Sequence, residues 1–209
     1  MEARGPILNR IVAAVWLIFA ACLPANAQEA PQDAPQNAPQ DPPSSAGAGP
    51  EAGALDALYE TLKTAEAAEA KRIEREIWRE WSRSGSPAFD LLLERGRKAM
   101  EQGDPQAAIE HLTALIDHAP GFAEGWNARA TAYFQAGLHG PSVADIRQVL
   151  ALNPRHFGAM AGFGMILEEA GQTEQARAVY QAALAIHPHL EGVKEALERL
   201  EKAETGQDL

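Results

Sequence analysis

Two residue types recur on one interval along this chain. Pro120, Pro154 and Pro188 stand 34 residues apart, and so do Gly103, Gly137 and Gly171. Six further columns keep that offset: Leu92, Trp126 and Met160; Gly96, Ala130 and Gly164; Ala99, Tyr133 and Leu167; Ala108, Ser142 and Ala176; Leu112, Ile146 and Tyr180; Leu115, Val149 and Ala183. Self-similarity at this period means stacked supersecondary units, none of which can bury its apolar face without a neighbour. Each unit reads as a helical hairpin. Trp126, Ala130 and Tyr133 recur at i, i+4 and i+7, one face of a helix. The glycine supplies a left-handed residue that ends the first helix. The proline ends the second, since it has no N–H to donate. Small residues at Gly96, Ala130 and Gly164 let the first helix approach the second, which carries Ala108, Ser142 or Ala176. No strand-like alternation appears, so the predicted fold is all-α.

These columns resemble the tetratricopeptide repeat (TPR) family, whose 34-residue helix-turn-helix unit places small residues at its eighth and twentieth positions and proline at its thirty-second. Three copies fit without a gap, at 89–122, 123–156 and 157–190. The flanks are read as completing the solenoid. Leu55, Leu58 and Leu62, then Ile73, Ile77 and Trp81, mark two helices of a degenerate first hairpin over 54–88, with Ser82 to Pro87 as the loop before the first clear repeat. Residues 191–205 read as a capping helix: Val193, Leu197 and Leu200 line one face, and charges cover the rest, as the exposed end of an array requires. Glu195 with Arg199 and Glu198 with Lys202 stand at i,i+4 and are expected to pair. The resemblance implies a TPR solenoid of antiparallel helix pairs closed by that cap.

The first 27 residues carry Arg4 and Arg10, an apolar run from Ile11 to Cys22, and the small-residue pattern Ala25-Asn26-Ala27. That order is a signal peptide, with cleavage expected after Ala27. The run is shorter than the ~20 apolar residues a spanning helix needs, so no integral span is expected once the leader is gone. The alternative is a lipoprotein acylated at Cys22, since Phe19-Ala20-Ala21-Cys22 resembles a lipobox, although Phe19 stands where that pattern usually has Leu, Val or Ile. Residues 28–53 repeat Ala-Pro-Gln-Asp, Ala-Pro-Gln-Asn and Ala-Pro-Gln-Asp, with six prolines and no side chain larger than Gln. Such a stretch offers too little apolar surface to offset ordering entropy and is expected to be a disordered linker.

Composition removes several function classes. The chain has 18 Lys plus Arg against 29 Asp plus Glu, a net charge of −11, and no basic block, which excludes a nucleic-acid binder. Removing Glu2, Arg4 and Arg10 leaves 16 basic and 28 acidic residues, so the exported product stands at −12. Its lone cysteine, Cys22, leaves with the leader. That excludes a disulfide framework and a multi-thiolate metal site, and suits the periplasm. His187-Pro188-His189 lies at a repeat-closing turn with no nearby carboxylate at ligand spacing, so it reads as structural. No G-x-S-x-G is present, Ser84 and Ser86 lie in a loop without a nearby His, and Gly162-Phe163-Gly164 falls mid-helix without the preceding strand of a dinucleotide fingerprint. No catalytic, metal or cofactor site is expected.

In the family, the first helix of each unit lines a concave groove that takes peptides or partner helices. The resemblance therefore implies groove positions at Arg97 and Met100 in the first repeat, Asn127, Thr131, Phe134 and Gln135 in the second, and Met165, Glu168 and Glu169 in the third. Arg at the seventh position with Asp at the twenty-third occurs in a subset of TPR units, which implies an ion pair between Arg129 and Asp145. The charged clamp of chaperone adaptors that hold a C-terminal carboxylate is missing: its five positions are Leu93, Arg97, Ala128, Gly158 and Gly162. The implied function is a non-enzymatic adaptor or scaffold of the bacterial periplasm that binds a partner polypeptide. A chaperone or assembly factor, and a noncatalytic subunit of an envelope enzyme complex, are the alternatives.

Overall fold

The computed structural model describes residues 50–204 and 206; the leader, most of the Pro-rich linker and Thr205 lie outside them. Among the described residues the chain runs through nine helices: α1 (Pro50–Thr64), α2 (Ala67–Trp81), α3 (Pro87–Glu101), α4 (Pro105–His118), α5 (Ala123–Gln135), α6 (His139–Leu152), α7 (Phe157–Glu169), α8 (Thr173–Ile186) and α9 (Glu191–Glu204). Helices α3 to α8 form three antiparallel pairs, one for each 34-residue unit, and α9 packs on α8. Helix α1 begins at Pro50, inside the segment expected to be linker. Proline is compatible with a first helical turn because its missing N–H would have no intrahelical partner there.

The hinge of each pair is the same local device. Gly103, Gly137 and Gly171 hold φ of 75°, 72° and 71°, the left-handed region where a Cβ would be strained. Each glycine donates its N–H to Met100, Phe134 or Glu168, and the residue after it donates back to Ala99, Tyr133 or Leu167 at 2.8–2.9 Å. This closes a Schellman motif at the end of α3, α5 and α7 and satisfies carbonyls that helix termination leaves unpaired. Caps start the following helices. Asp104 accepts from Ala107 N–H at 3.0 Å ahead of α4, and His156 Nδ1 accepts from Ala159 N–H at 3.0 Å ahead of α7.

The N-terminal hairpin is where structure and sequence expectation part. Helices α1 and α2 do pack as a hairpin, but they do not extend the array ahead of α3. They fold back across its edge and share a core with repeats 2 and 3: Tyr59, Leu62, Ile73, Ile77 and Trp81 are buried together with Ile146, Phe157, Met160, Tyr180 and Ile186. A separate cluster of Leu93, Ala99, Ala108, Leu112, Leu115, Ala128 and Ala132 serves repeat 1. Burying five large side chains contributes on the order of 10 kcal/mol before ordering entropy is subtracted, so the hairpin is a fixed part of the fold. Its seat is the pair of loops that close repeats 2 and 3. Asp56 pairs with Arg155, whose guanidinium lies 4.0 Å from the Tyr59 ring centroid. At the far end of α1, His189 Nε2 donates to the Ala65 carbonyl at 2.9 Å. Periodicity within α1 and α2 identifies an apolar stripe but not the neighbour that covers it.

Helix α9 shows a second departure. Arg199 does not settle on Glu195 of its own helix; it reaches Glu168 Oε1 on α7 at 3.0 Å. The Tyr180 hydroxyl donates to the other oxygen of Glu168 at 2.9 Å, so this carboxylate ties α7, α8 and α9 together.

Candidate peptide groove

The first helices of repeats 2 and 3, α5 and α7, diverge enough to leave an open groove of about 400 Å³. Phe134, Met165 and Ile166 give it an apolar lining, Asn127, Thr131 and Gln135 bring polar groups, and Gly162, with nothing within 4 Å of its Cβ position, leaves backbone open along α7. Among the described residues no charged side chain lines it. Five of the positions implied by the resemblance therefore come together here: Asn127, Thr131, Phe134, Gln135 and Met165. Met165 is 47% exposed, unusual for so large an apolar residue, and its flexible thioether adapts to varied partners.

The other four implied positions are engaged elsewhere. Met100 packs against the core of repeat 1. Arg97 donates to Glu124 Oε1 at 2.6 Å and to Ser82 Oγ at 3.1 Å, which fastens α3 to α5 and to the end of α2. Glu168 makes the three-helix tie described above, and Glu169 stands 3.4 Å from His139. The groove is thus shorter than a plain transfer of family positions implies, because two of its charged rows are used to hold the molecule together.

Glu124 is a residue that sequence reasoning missed. Its side chain is buried, and it collects Arg97, Asn127 Nδ2 at 3.2 Å and His156 at 3.1 Å. Because His156 Nδ1 already accepts the α7 cap bond, its proton sits on Nε2 and is donated to Glu124. The imidazole also stacks on the Trp81 indole, with centroids 4.0 Å apart. One buried carboxylate therefore links repeats 1 and 2 and holds the histidine that caps α7, and that histidine in turn stacks on the hairpin. A buried charge is tolerable only when hydrogen-bonded on this scale. His187 occupies the equivalent turn one repeat later, facing Glu74 of α2 at 3.4 Å. Burial pushes its pKa down from the ordinary value of 6.5, against a smaller opposing pull from Glu74. The turn histidines thus meet carboxylates that lie far away in sequence, yet among the described residues no three His, Cys, Asp or Glu are grouped to hold a metal ion.

Arg129 and Asp145 form a two-pronged pair between α5 and α6. Nε donates to Oδ2 at 2.7 Å and an outer nitrogen donates to Oδ1 at 2.9 Å. Arg129 also donates to Thr113 Oγ1 at 3.1 Å and lies over the rings of Trp126 and Tyr133. The bond to Asp145 holds the guanidinium pKa above its usual value. Among the described residues no helix is long and apolar enough to cross a membrane.

The model of the tetratricopeptide repeat family matches residues 93–140 and 142–191. A TPR repeat-containing protein of Rhizobium etli is 38% identical over 135 residues, 64% of this chain and 66% of that protein. Residues 93–191 are thus tetratricopeptide repeats. Small glutamine-rich tetratricopeptide repeat-containing protein 2 of Mycosarcoma maydis is 30% identical over 108 residues, 52% of this chain. The chain spans just under two thirds of the Rhizobium relative and 31% of the Mycosarcoma one. Among solved structures, the first TPR of Spaghetti (RPAP3) bound to HSP90 peptide SRMEEVD superposes with a TM-score of 0.53 at 25% identity, covering 55% of this chain and 91% of that one. The TPR array is a protein-interaction module, and that relative holds a peptide.

Proposed function

We propose that this TPR protein is a non-enzymatic adaptor of the bacterial envelope, which holds a partner polypeptide in the groove between α5 and α7. The supporting observation is the groove itself: an open, uncharged lining with an exposed Met165 beside Phe134, on the helices that face ligands in a TPR array. An apolar surface left open between polar rims marks a contact site for another chain. The leader motif supports export, with the mature chain starting at Gln28 in the periplasm, or anchored through Cys22 if the lipobox is used. With a net charge near −12 after leader removal, the preferred partner surface is neutral or basic.

A photo-crosslinking residue placed at Thr131 or Met165, with Gln181 on the exposed face of α8 as control, tests this in the native cell. An adaptor yields one partner from both groove sites and none from the control. A chaperone yields many clients from the same sites. Equal capture from groove and control sites refutes the groove reading, as does undiminished capture by a folded Asn127→Ala, Phe134→Ala variant.

A further inference from the structure

After the leader the chain carries 16 lysines and arginines, all of them among the described residues. Five of these, Lys71, Arg75, Arg79, Arg95 and Lys98, have no ion-pair partner among those residues. Lys71, Arg75 and Arg79 stand at i, i+4 and i+8 on α2, all exposed, and turned away from its buried Ala70, Ile73, Ile77 and Trp81. At 1.5 Å of rise per residue they are about 6 Å apart along the axis, in a row about 12 Å long. Arg83 continues the row past the helix end, where Glu80 holds it at 3.1 Å. The neighbouring carboxylates are already engaged. Glu74 faces His187 at 3.4 Å and accepts from Trp78 Nε1 at 3.4 Å, while Glu69 and Glu76 hold Arg72 at 3.5 and 2.7 Å. Like charges at i,i+4 repel across a helix surface, so the row works against the stability of α2. A local choice that opposes the fold without a compensating contact marks a functional site.

We propose that this row docks an acidic α-helix of a partner polypeptide, one that places carboxylates at i, i+4 and i+8 on a single face. Charge sets the chemistry: an ammonium and two guanidinium groups without counter-charges pair with carboxylates, the guanidiniums through two parallel N–H bonds each. Spacing sets the form. A partner helix repeats every fourth residue at the same rise of about 6 Å, so laid alongside α2 it meets all three cations in register. Width decides against a membrane. The row is one residue wide, bordered by Glu74 on one side and by Glu76 and Glu80 on the other, on a body that stands near −12 once the leader is gone. A flat anionic surface would bring that negative charge against itself, whereas a single helix touches the row alone. The site does not depend on the groove reading. None of its residues lines the groove, and its charge preference is the reverse of the rest of the surface.

The test uses the protein as its host cell processes it, at low salt, with three probes. Two are fluorescent helix-forming peptides of one composition, the first with Glu at i, i+4 and i+8 on one face and the second with those Glu residues spread around the helix. The third is vesicles of phosphatidylglycerol. The wild type is expected to bind the patterned peptide about tenfold more tightly than the dispersed one, the factor that three exposed ion pairs supply together. Lys71→Ala with Arg75→Ala and Arg79→Ala is expected to abolish that difference. It is also expected to melt no lower than wild type, because it relieves like-charge repulsion. Arg95→Ala with Lys98→Ala removes the two other unpaired cations, on α3, and should leave the difference intact. Arg75→Glu should transfer the preference to a patterned peptide with Lys at its middle position, a swap that diffuse attraction does not produce. Equal binding of the two peptides, no binding by either, or equal losses in the α2 and α3 variants overturns the proposal. So does an α2 triple variant that melts well below wild type, which would make the row structural, or capture by vesicles in place of the peptide. Peptide binding that appears only after residues 28–49 are removed would make the chain's own Glu29, Asp33 and Asp41 the occupant and overturns it as well.

Discussion

Replacing Gly164 by alanine should cost stability, whereas the same change at Gly96 should be close to neutral. Both glycines occupy the eighth position of a repeat, where the first helix crosses the second. A Cβ at Gly164 would lie 2.2, 2.5 and 2.9 Å from three ring atoms of Tyr180. At Gly96 the closest atoms, 2.6–3.0 Å away, belong to the Leu112 side chain. Alanine in place of a mid-helix glycine gains about 1 kcal/mol of helix propensity at either site. Overpacking costs ~1–3 kcal/mol, and the neighbour decides where in that range it falls. Tyr180 is fully buried, and its hydroxyl is tied to Glu168, which Arg199 holds in turn. Burial and the Glu168 carboxylate push the hydroxyl pKa up, so it stays a donor and the ring cannot slide without losing that bond. Leu112 can rotate about two torsions. Repeat 2 already carries Ala130 and Ile146 in the same two columns. The net loss for Gly164→Ala is therefore about 2 kcal/mol. For a chain of this size that lowers Tm by ~4–8 °C, while Gly96→Ala stays within ~1 kcal/mol of wild type. Urea unfolding followed by circular dichroism on the three proteins measures both. A Gly164→Ala protein as stable as wild type, or equal shifts at the two sites, would show that rigidity of the facing side chain does not govern the crossing.

Asp145→Ala strands the Arg129 guanidinium, whose side chain is 13% exposed against 6% for its partner. The loss is expected near 3 kcal/mol, the low end for breaking a buried pair because Thr113 and some water remain, and replacing both residues by Met and Leu should recover most of it. A thermal melt of the single and double variants decides, and a single variant melting like wild type would refute the pair's contribution. His187 predicts a pH effect. Its folded-state pKa lies below 6.5, so the unfolded chain binds the proton first: this contribution is full above pH 6.5 and is lost as pH falls toward the folded value. Urea midpoints between about pH 5 and pH 7.5 should fall less steeply in His187→Gln than in wild type; parallel curves would exclude the histidine as a source of that slope. The hairpin's seat is testable by covalent chemistry, because the only native cysteine is Cys22. In a Cys22→Ser background, Asp56→Cys with Arg155→Cys should be joined by a short bifunctional maleimide, seen as a gel shift, because a full arginine side chain separates the two backbones and a direct disulfide needs Cα atoms within about 7 Å. Failure of that pair to crosslink in folded protein would place α1 elsewhere.

Legibility differed between the array and the site. The glycine and proline columns mark where every hairpin of the three repeats turns, because a left-handed residue and a missing N–H act locally and do not depend on a distant neighbour. The groove was only half legible. Asn127, Thr131, Phe134, Gln135 and Met165 follow from repeat register, but Arg97 and Glu168 share that register and are spent on Glu124, Tyr180 and Arg199. Glu124 carried no signal, since an acidic residue in a first helical turn is ordinary.

The amino-acid sequence by itself determined an all-α array of 34-residue units, where the helices of the three repeats turn, and which residues share a helix face. The tertiary structure alone decided that the N-terminal hairpin folds back over repeats 2 and 3, and which implied groove positions line an open groove and which are tied into the fold. Periodicity describes a single helix, whereas the covering of an apolar stripe is a competition among surfaces distant in sequence. That competition is settled by which surfaces fit in shape and leave no buried charge unpaired.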